Sequence, residues 1–289
     1  MTQSLSRSPL APASFPDLPV VEGVRFASAA AGVKYQGRSD VMLAMLAPGT
    51  TIAGTFTRSL TRSAPVRDCQ AKLGGHSQDG AAILVNSGNS NAFTGHFGET
   101  SVEQITSAVA DATGVPETRV FTASTGVIGE PLPHERIIAK IGALANGLAE
   151  NRLKDAAEAI MTTDTFAKGA SAEIEIDGQT VSIAGIAKGS GMVAPDMATM
   201  LVYIFTDARI DQGALQTLLT AVCDRTFNCI TDDSDTSTSD SLMLCATGAA
   251  GVDATGSAAF ETALETVMLD LSHQVIRDGE GATKFVEIQ

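Results

Sequence analysis

Asp177-Gly178 leaves the chain little freedom, because it stands between two β-type runs, SAEIEI (171–176) and QTVSIAGIA (179–187). Asp-Gly suits a two-residue type I′ turn, in which both central residues need positive φ, so an antiparallel hairpin is expected here. The second strand leads into GIAKGSGMVAPDMATML (185–201), dense in Gly, Ser, Pro and Met. MLVYIF (200–205) follows at once, an apolar run of the kind buried in a sheet. A turn-rich segment and an Ala198-Thr199 pair therefore stand directly before a core strand.

Further β-type runs recur at VMLAMLA, TIAGTFT, AAILVN, RVFTASTGVIG, SLMLCATG and TKFVEIQ, with Pro, Gly and Asn between them. Helical spacing marks ETSVEQITSAVADATG, with Gly114 as its stop, and PHERIIAKIGALANGLAE, with Pro133 at its start. LKDAAEAIMTT, DQGALQTLLTAVCD and AAFETALETVMLDLSHQVI complete the helical set. The fold class is α/β. Residues 1–20, rich in Ser and Pro, read as a flexible arm or edge segment, and residues 21–289 as one α/β region without repeats or linkers.

A formal net charge of −14 with no cluster of Lys and Arg argues against nucleic acid as a partner. An acidic ligand would have to be met by local cations or backbone N–H groups. No apolar run reaches the roughly 18 residues that cross a bilayer, and no signal peptide is evident, so a soluble cytoplasmic protein is expected. Cys69, Cys223, Cys229 and Cys245 show no CxxC pairing and read as reduced core thiols.

Familiar signatures fail in turn. GSGM lacks the third Gly of a dinucleotide loop and GEGATK the spacing of a P-loop. His76, His96, His134 and His273 form no helical pair, so no metal is expected. The loop TDDSDTSTSD lacks the Gly and distal Glu of a calcium loop and reads as solvated or hydroxyl-donating. Three hydroxyl-glycine clusters remain: STGVIG (124–129), TTDT (162–165) and the segment before MLVYIF. Each alone reads as a turn, and together they suggest chemistry without histidine. Threonine can act as nucleophile with its own α-amine as base, since that amine titrates near pH 8. Such a Thr must be a chain N-terminus, and cleavage between Ala198 and Thr199 would make one. Thr199 Oγ would attack the Ala198 carbonyl, and hydrolysis of the ester would free the amine. A tight turn such as Thr125-Gly126 could hold the oxyanion.

AKGSGMVAPDMATML resembles the cleavage segment of the ornithine acetyltransferases, the self-cleaving glutamate N-acetyltransferases of arginine biosynthesis. The resemblance extends in order through AGVKYQGRSDVMLAML, TFTRSLTRSAPV, NSGNSNAFTG, ASTGVIGEPLP, MTTDTFAK, TFNCITDDSDTSTSD and RDGEGATKFVEIQ. It implies an αββα sandwich, similar to the N-terminal-nucleophile hydrolases but differently connected. It implies cleavage into an α part (1–198) and a β part (199–289), assembled as a heterotetramer. Thr199 would carry the acetyl group, Thr125 and Gly126 would form the oxyanion hole, and Thr165, Lys188, Thr199 and Glu280 would bind substrate. N2-acetylornithine would donate acetyl and glutamate accept it in a ping-pong cycle. No cofactor is implied, and acetyl-CoA stays open as a second acetyl donor.

Three departures stand out. Phe93 and the SDTSTSD loop differ from the usual family letters. The family pattern also continues past TKFVEI into a further segment with a Trp-containing motif, whereas this chain has no Trp. On that resemblance the chain is expected to be C-terminally incomplete, and the alternative to a working acetyltransferase is an inactive fragment or a subunit needing a separate C-terminal partner. A related self-cleaving aminopeptidase is a third reading.

Overall fold

The computed structural model describes residues 6–75, 78–193 and 200–288. Their strands form two sheets. The first has the order β1-β2-β4-β5, from β1 (Val24–Ala29), β2 (Val41–Leu46), β4 (Ala81–Asn89) and β5 (Val120–Val127). Only β4 and β5 run parallel in it. The second has the order β3-β9-β8-β7-β6, from β3 (Thr51–Phe56), β6 (Lys168–Ile176), β7 (Gln179–Lys188), β8 (Leu201–Thr206) and β9 (Ser241–Ala246). Here β8 and β9 are parallel and the other pairs antiparallel.

The period-two geometry of the strands stacks these sheets into layers. Leu201, Tyr203 and Phe205 of β8 point inward, against a common core with Ile83, Val85 and Phe121 of the first sheet. Val202 and Ile204 point outward, onto α5 (Gln212–Arg225) and α6 (Ala258–Arg277) through Leu215, Leu219, Leu264 and Leu271. On the far side, Leu43 and Leu84 pack against α2 (His96–Thr113) and α3 (His134–Asn146) through Ile105, Val109, Ile137 and Ile141. The result is the expected αββα sandwich. Every residue of β8 and β9 is buried, which is why neither shows a polar face in sequence. Phe26 and Phe205 meet edge-on at 5.1 Å between the sheets.

The short helices α1 (Ala64–Lys72) and α4 (Leu153–Ala159) contribute Cys69, Leu153, Ala156 and Ala157 to the core between the sheets. Asp177 and Gly178 take φ of 51° and 77°, as a type I′ turn requires, and Ile176 pairs with Gln179. Gly114 ends α2 at φ 76°, its N–H bonded to Ala110 O.

Three expectations need adjustment. TKFVEIQ, read as a last strand, is irregular over 283–288. Phe285 instead lies edge-on to His273 at 5.1 Å and under the Arg277 guanidinium at 4.9 Å, so side-chain packing on α6 replaces a ladder. Residues 6–20, read as an arm, carry no helix or strand, yet Phe15 and Leu18 pack on the core. Ser8 N–H donates to Thr165 Oγ1 at 2.9 Å. Cys69, Cys223 and Cys245 are buried thiols as expected, whereas Cys229 is exposed. Among the described residues no helix is long and apolar enough to cross a membrane.

Candidate active site

The C-terminal ends of β4, β5 and β7 and the entries to β8 and β9 share one end of the sandwich. Between them lies a cleft of about 420 Å³, lined by Thr125, Gly126, Lys188 and Glu280 together with Lys34, Tyr35, Thr163, Asp233 and Ser237–Ser239. Four of the residues singled out in sequence therefore meet.

Gly126 is at φ 132°, and a Cβ there would lie 2.3 Å from the Gly88 carbonyl carbon. The β4–β5 register slips at Gly88/Asn89, a bulge that brings the two backbones together. Only glycine fits that approach. Thr125 precedes it on the cleft wall, 7% exposed, with no hydrogen bond from its hydroxyl among the described residues.

Lys188 ends β7, almost wholly buried at 2% exposure. Burial pushes its pKa down, and so does Lys168, while Asp164, Asp240 and Glu280 pull it back up. Beneath it is a buried ion cluster. Lys168 Nζ contacts Asp164 Oδ1 at 2.7 Å and Asp278 Oδ2 at 2.6 Å, and all three side chains are fully buried. Asp164 also accepts from Gly189 N–H at 2.7 Å and Thr162 N–H at 2.9 Å. Burial alone would raise the Asp164 pKa, but the Lys168 and Lys188 cations outweigh it and hold the carboxyl well below the usual range.

Thr165 is set apart from the main cleft. Its hydroxyl donates to Asp278 and accepts from Ser8 N–H, and it faces a neighbouring hollow of about 380 Å³. Thr163 and Glu280 line both spaces, so the two adjoin.

Ala198 and Thr199 lie outside the described residues. Both flanks of their segment are held by the loop 231–240. Asp233 accepts from Met192 N–H at 2.6 Å and Val193 N–H at 3.0 Å, while Asp232 N–H and Thr231 Oγ1 donate to Val193 O. On the other side, Met200 N–H donates to Asp240 Oδ1 at 2.7 Å. Burial pushes the Asp240 carboxyl far above its usual value, against the pull of its hydrogen bonds and of Lys188. Asp232 is likewise raised by burial and by the neighbouring Asp233 and Glu280.

Sequence reasoning left Lys34, Tyr35, Asp164, Lys168, Asp278 and Asp240 without roles. Asp40 was equally silent, although it holds the loop before Lys34 by accepting from Ala31 N–H at 2.6 Å and Val33 N–H at 2.7 Å.

A family model described as "ArgJ family" matches residues 25–289. The chain is also 74% identical over 282 residues to the arginine biosynthesis bifunctional protein ArgJ of Ruegeria pomeroyi, covering 98% of this chain and 69% of that protein. The chain belongs to the ArgJ family. It is an enzyme of the acyltransferase class. A solved ArgJ-family relative, the ornithine acetyltransferase of Mycobacterium tuberculosis complexed with ornithine, is 32% identical at a TM-score of 0.52, over 65% of this chain and 95% of that one. The L-aminopeptidase D-Ala-esterase/amidase of Ochrobactrum anthropi, described as a variant of the Ntn hydrolase fold, aligns over 93% of this chain and 89% of that one. Its TM-score is 0.56 at 10% identity, a likeness of fold alone.

Proposed function

We propose that this ArgJ-family chain cleaves itself between Ala198 and Thr199 and uses the freed Thr199 to move acetyl from N2-acetylornithine to glutamate, in the cytoplasm and within arginine biosynthesis. The observation that carries this reading is convergence. Thr125, Gly126, Lys188 and Glu280 line one cleft, and the loop that pins Met192, Val193 and Met200 lines it too.

In this mechanism Thr199 Oγ attacks the acetyl carbonyl of N2-acetylornithine with its own α-amine as base, and the oxyanion is received by Thr125 and Gly126. Ornithine leaves, and the α-amine of glutamate attacks the acetyl-threonine ester. Lys188 meets the substrate carboxylate. Glu280, beside Asp232 and Asp233, offers negative charge to the ornithine side-chain ammonium. Thr165, held by Asp278 and Ser8, supports this wall from the adjoining hollow. The two parts assemble as a heterotetramer, and acetyl-CoA stays open as a second acetyl donor.

Intact mass of wild type beside Thr199→Ala tests the reading. Wild type should give two pieces, the second beginning at Thr199, and that piece should gain one acetyl group on incubation with N2-acetylornithine alone. Thr199→Ala should stay whole. A wild type that stays whole, or that splits without accepting acetyl, counts against the acyl-threonine mechanism.

A further inference from the structure

The loop 30–40 between β1 and β2 is pinned at several points. Asp40 N–H donates to Ala29 O at 3.0 Å across its mouth, and the Asp40 carboxylate accepts from the N–H groups of Ala31, Gly32 and Val33. Arg136 of α3 donates to Gly32 O at 2.6 Å. Arg38 donates to Met161 O at 2.5 Å and lies 4.5 Å from the centre of the Tyr35 ring, which ties the loop to the residue before TTDT. Within this loop, the Cβ of Lys34 lies 2.7 Å from where a Cβ on Gly88 would stand, and Gly88 is paired with Gly126 at the bulge. The Lys34 side chain is nevertheless exposed, lines the cleft and has no ion pair or hydrogen bond among the described residues. A well-held loop thus carries an unpaired cation to the wall of the cleft that contains Gly126.

The reaction proposed above calls for such a group. One site must serve two side chains of opposite charge in turn, the ammonium of N2-acetylornithine and the carboxylate of glutamate. Glu280 attracts the first and repels the second. Asp233, the other acid lining the cleft, adds to that bias although it is bonded to Met192 and Val193 N–H, and the chain's net charge of −14 opposes an acidic ligand at longer range. Lys188 is buried, its charge answered by Asp164, Asp240 and Glu280, and its place is at the α-carboxylate that donor and acceptor share. Arg7, a cation lining the adjoining hollow, is engaged with Pro12 O. We propose that Lys34 receives the side-chain carboxylate of the acetyl acceptor and so restricts the acceptor to an acidic amino acid. The proposal rests on the acetyl-threonine reading above. Glu280 serves the side chain of the donor and Lys34 that of the acceptor, through a charge-assisted hydrogen bond. Because the loop is already fixed, only the lysine side chain has to be ordered when the acceptor binds.

The two half-reactions, followed by intact mass on cleaved protein, separate this role from a structural one. Acetylation of Thr199 by N2-acetylornithine should run in Lys34→Met as fast as in wild type or faster. Removal of that acetyl group by glutamate should fall about 10–100-fold in kcat/KM, the scale of one lost hydrogen bond to a charged group, and the preference for glutamate over glutamine should vanish with it. Lys34→Arg should restore both. A Lys34→Met variant that slows the two halves alike, or neither, overturns the proposal. The side chain is exposed, so the thermal midpoint should match wild type. If the variant does not fold, labelling of wild type decides: N-acetylglutamate should protect Lys34 from reductive methylation and N-acetylglutamine should not, and equal labelling with both overturns the proposal. A wild type whose Thr199 takes no acetyl defeats the underlying reading, an outcome distinct from these.

Discussion

At Gly126 two backbones approach closer than any side chain allows. Its φ of 132° and the 2.3 Å between a notional Cβ and Gly88 mean that Gly126→Ala must pull β5 away from the β4 bulge. The expected loss is about 1–3 kcal/mol from the dihedral alone, read as a lower urea midpoint, together with failure to acetylate Thr199. Gly126 was legible in sequence because a hydroxyl followed by glycine at a strand end is a local pattern, and Lys188 and Glu280 were legible through the motifs around them. Asp164, Lys168 and Asp278 were not. Asp278 is 110 residues from Lys168 and 113 from Thr165, and a partnership that long leaves no period in the chain. Asp240 was hidden for another reason: in an acidic loop its charge looks solvated, and only burial reveals the difference.

Among the elements, the TTDT loop, the start of β6, the end of β7 and the C-terminus of α6 depend on one buried cluster. Lys168 stands between two carboxylates with no solvent to screen them. Lys168→Met would leave Asp164 and Asp278 buried without their cation, and about 3–5 kcal/mol of stability is expected to go with it in chemical denaturation. Asp164 also sets a direction with pH. Its folded pKa is depressed, so its contribution is complete above the ordinary carboxyl value of about 3.9 and is lost as pH falls below that toward the folded value. The difference in thermal midpoint between wild type and Asp164→Asn should accordingly be constant from pH 7 to about 5 and narrow below pH 4. The helices and the Asp-Gly hairpin were readable from period and turn chemistry. The run 283–288 has a strand's alternation but no ladder, because Phe285 is held by His273 and Arg277 on α6. Alternation states which face is apolar and not which edge is available.

Across the whole molecule, strand order matters more than strand count. In the sheet β3-β9-β8-β7-β6, the two strands that follow Thr199 are adjacent to each other and flanked on both sides by strands that precede it. Six residue pairs join β3 to β9 and six join β7 to β8, and α5 and α6 cover the outer face. Cleaved protein should therefore run as one species by native size exclusion and separate into two pieces only in denaturant. Free separation in buffer would contradict this interleaving. The same arrangement gives the molecule a history. An unbroken chain can find this sheet by folding on itself, whereas two separated pieces must first meet, at a rate set by their concentration. Once divided, the protein would persist because it unfolds slowly, and a dilute sample melted and cooled would recover far less than its precursor does.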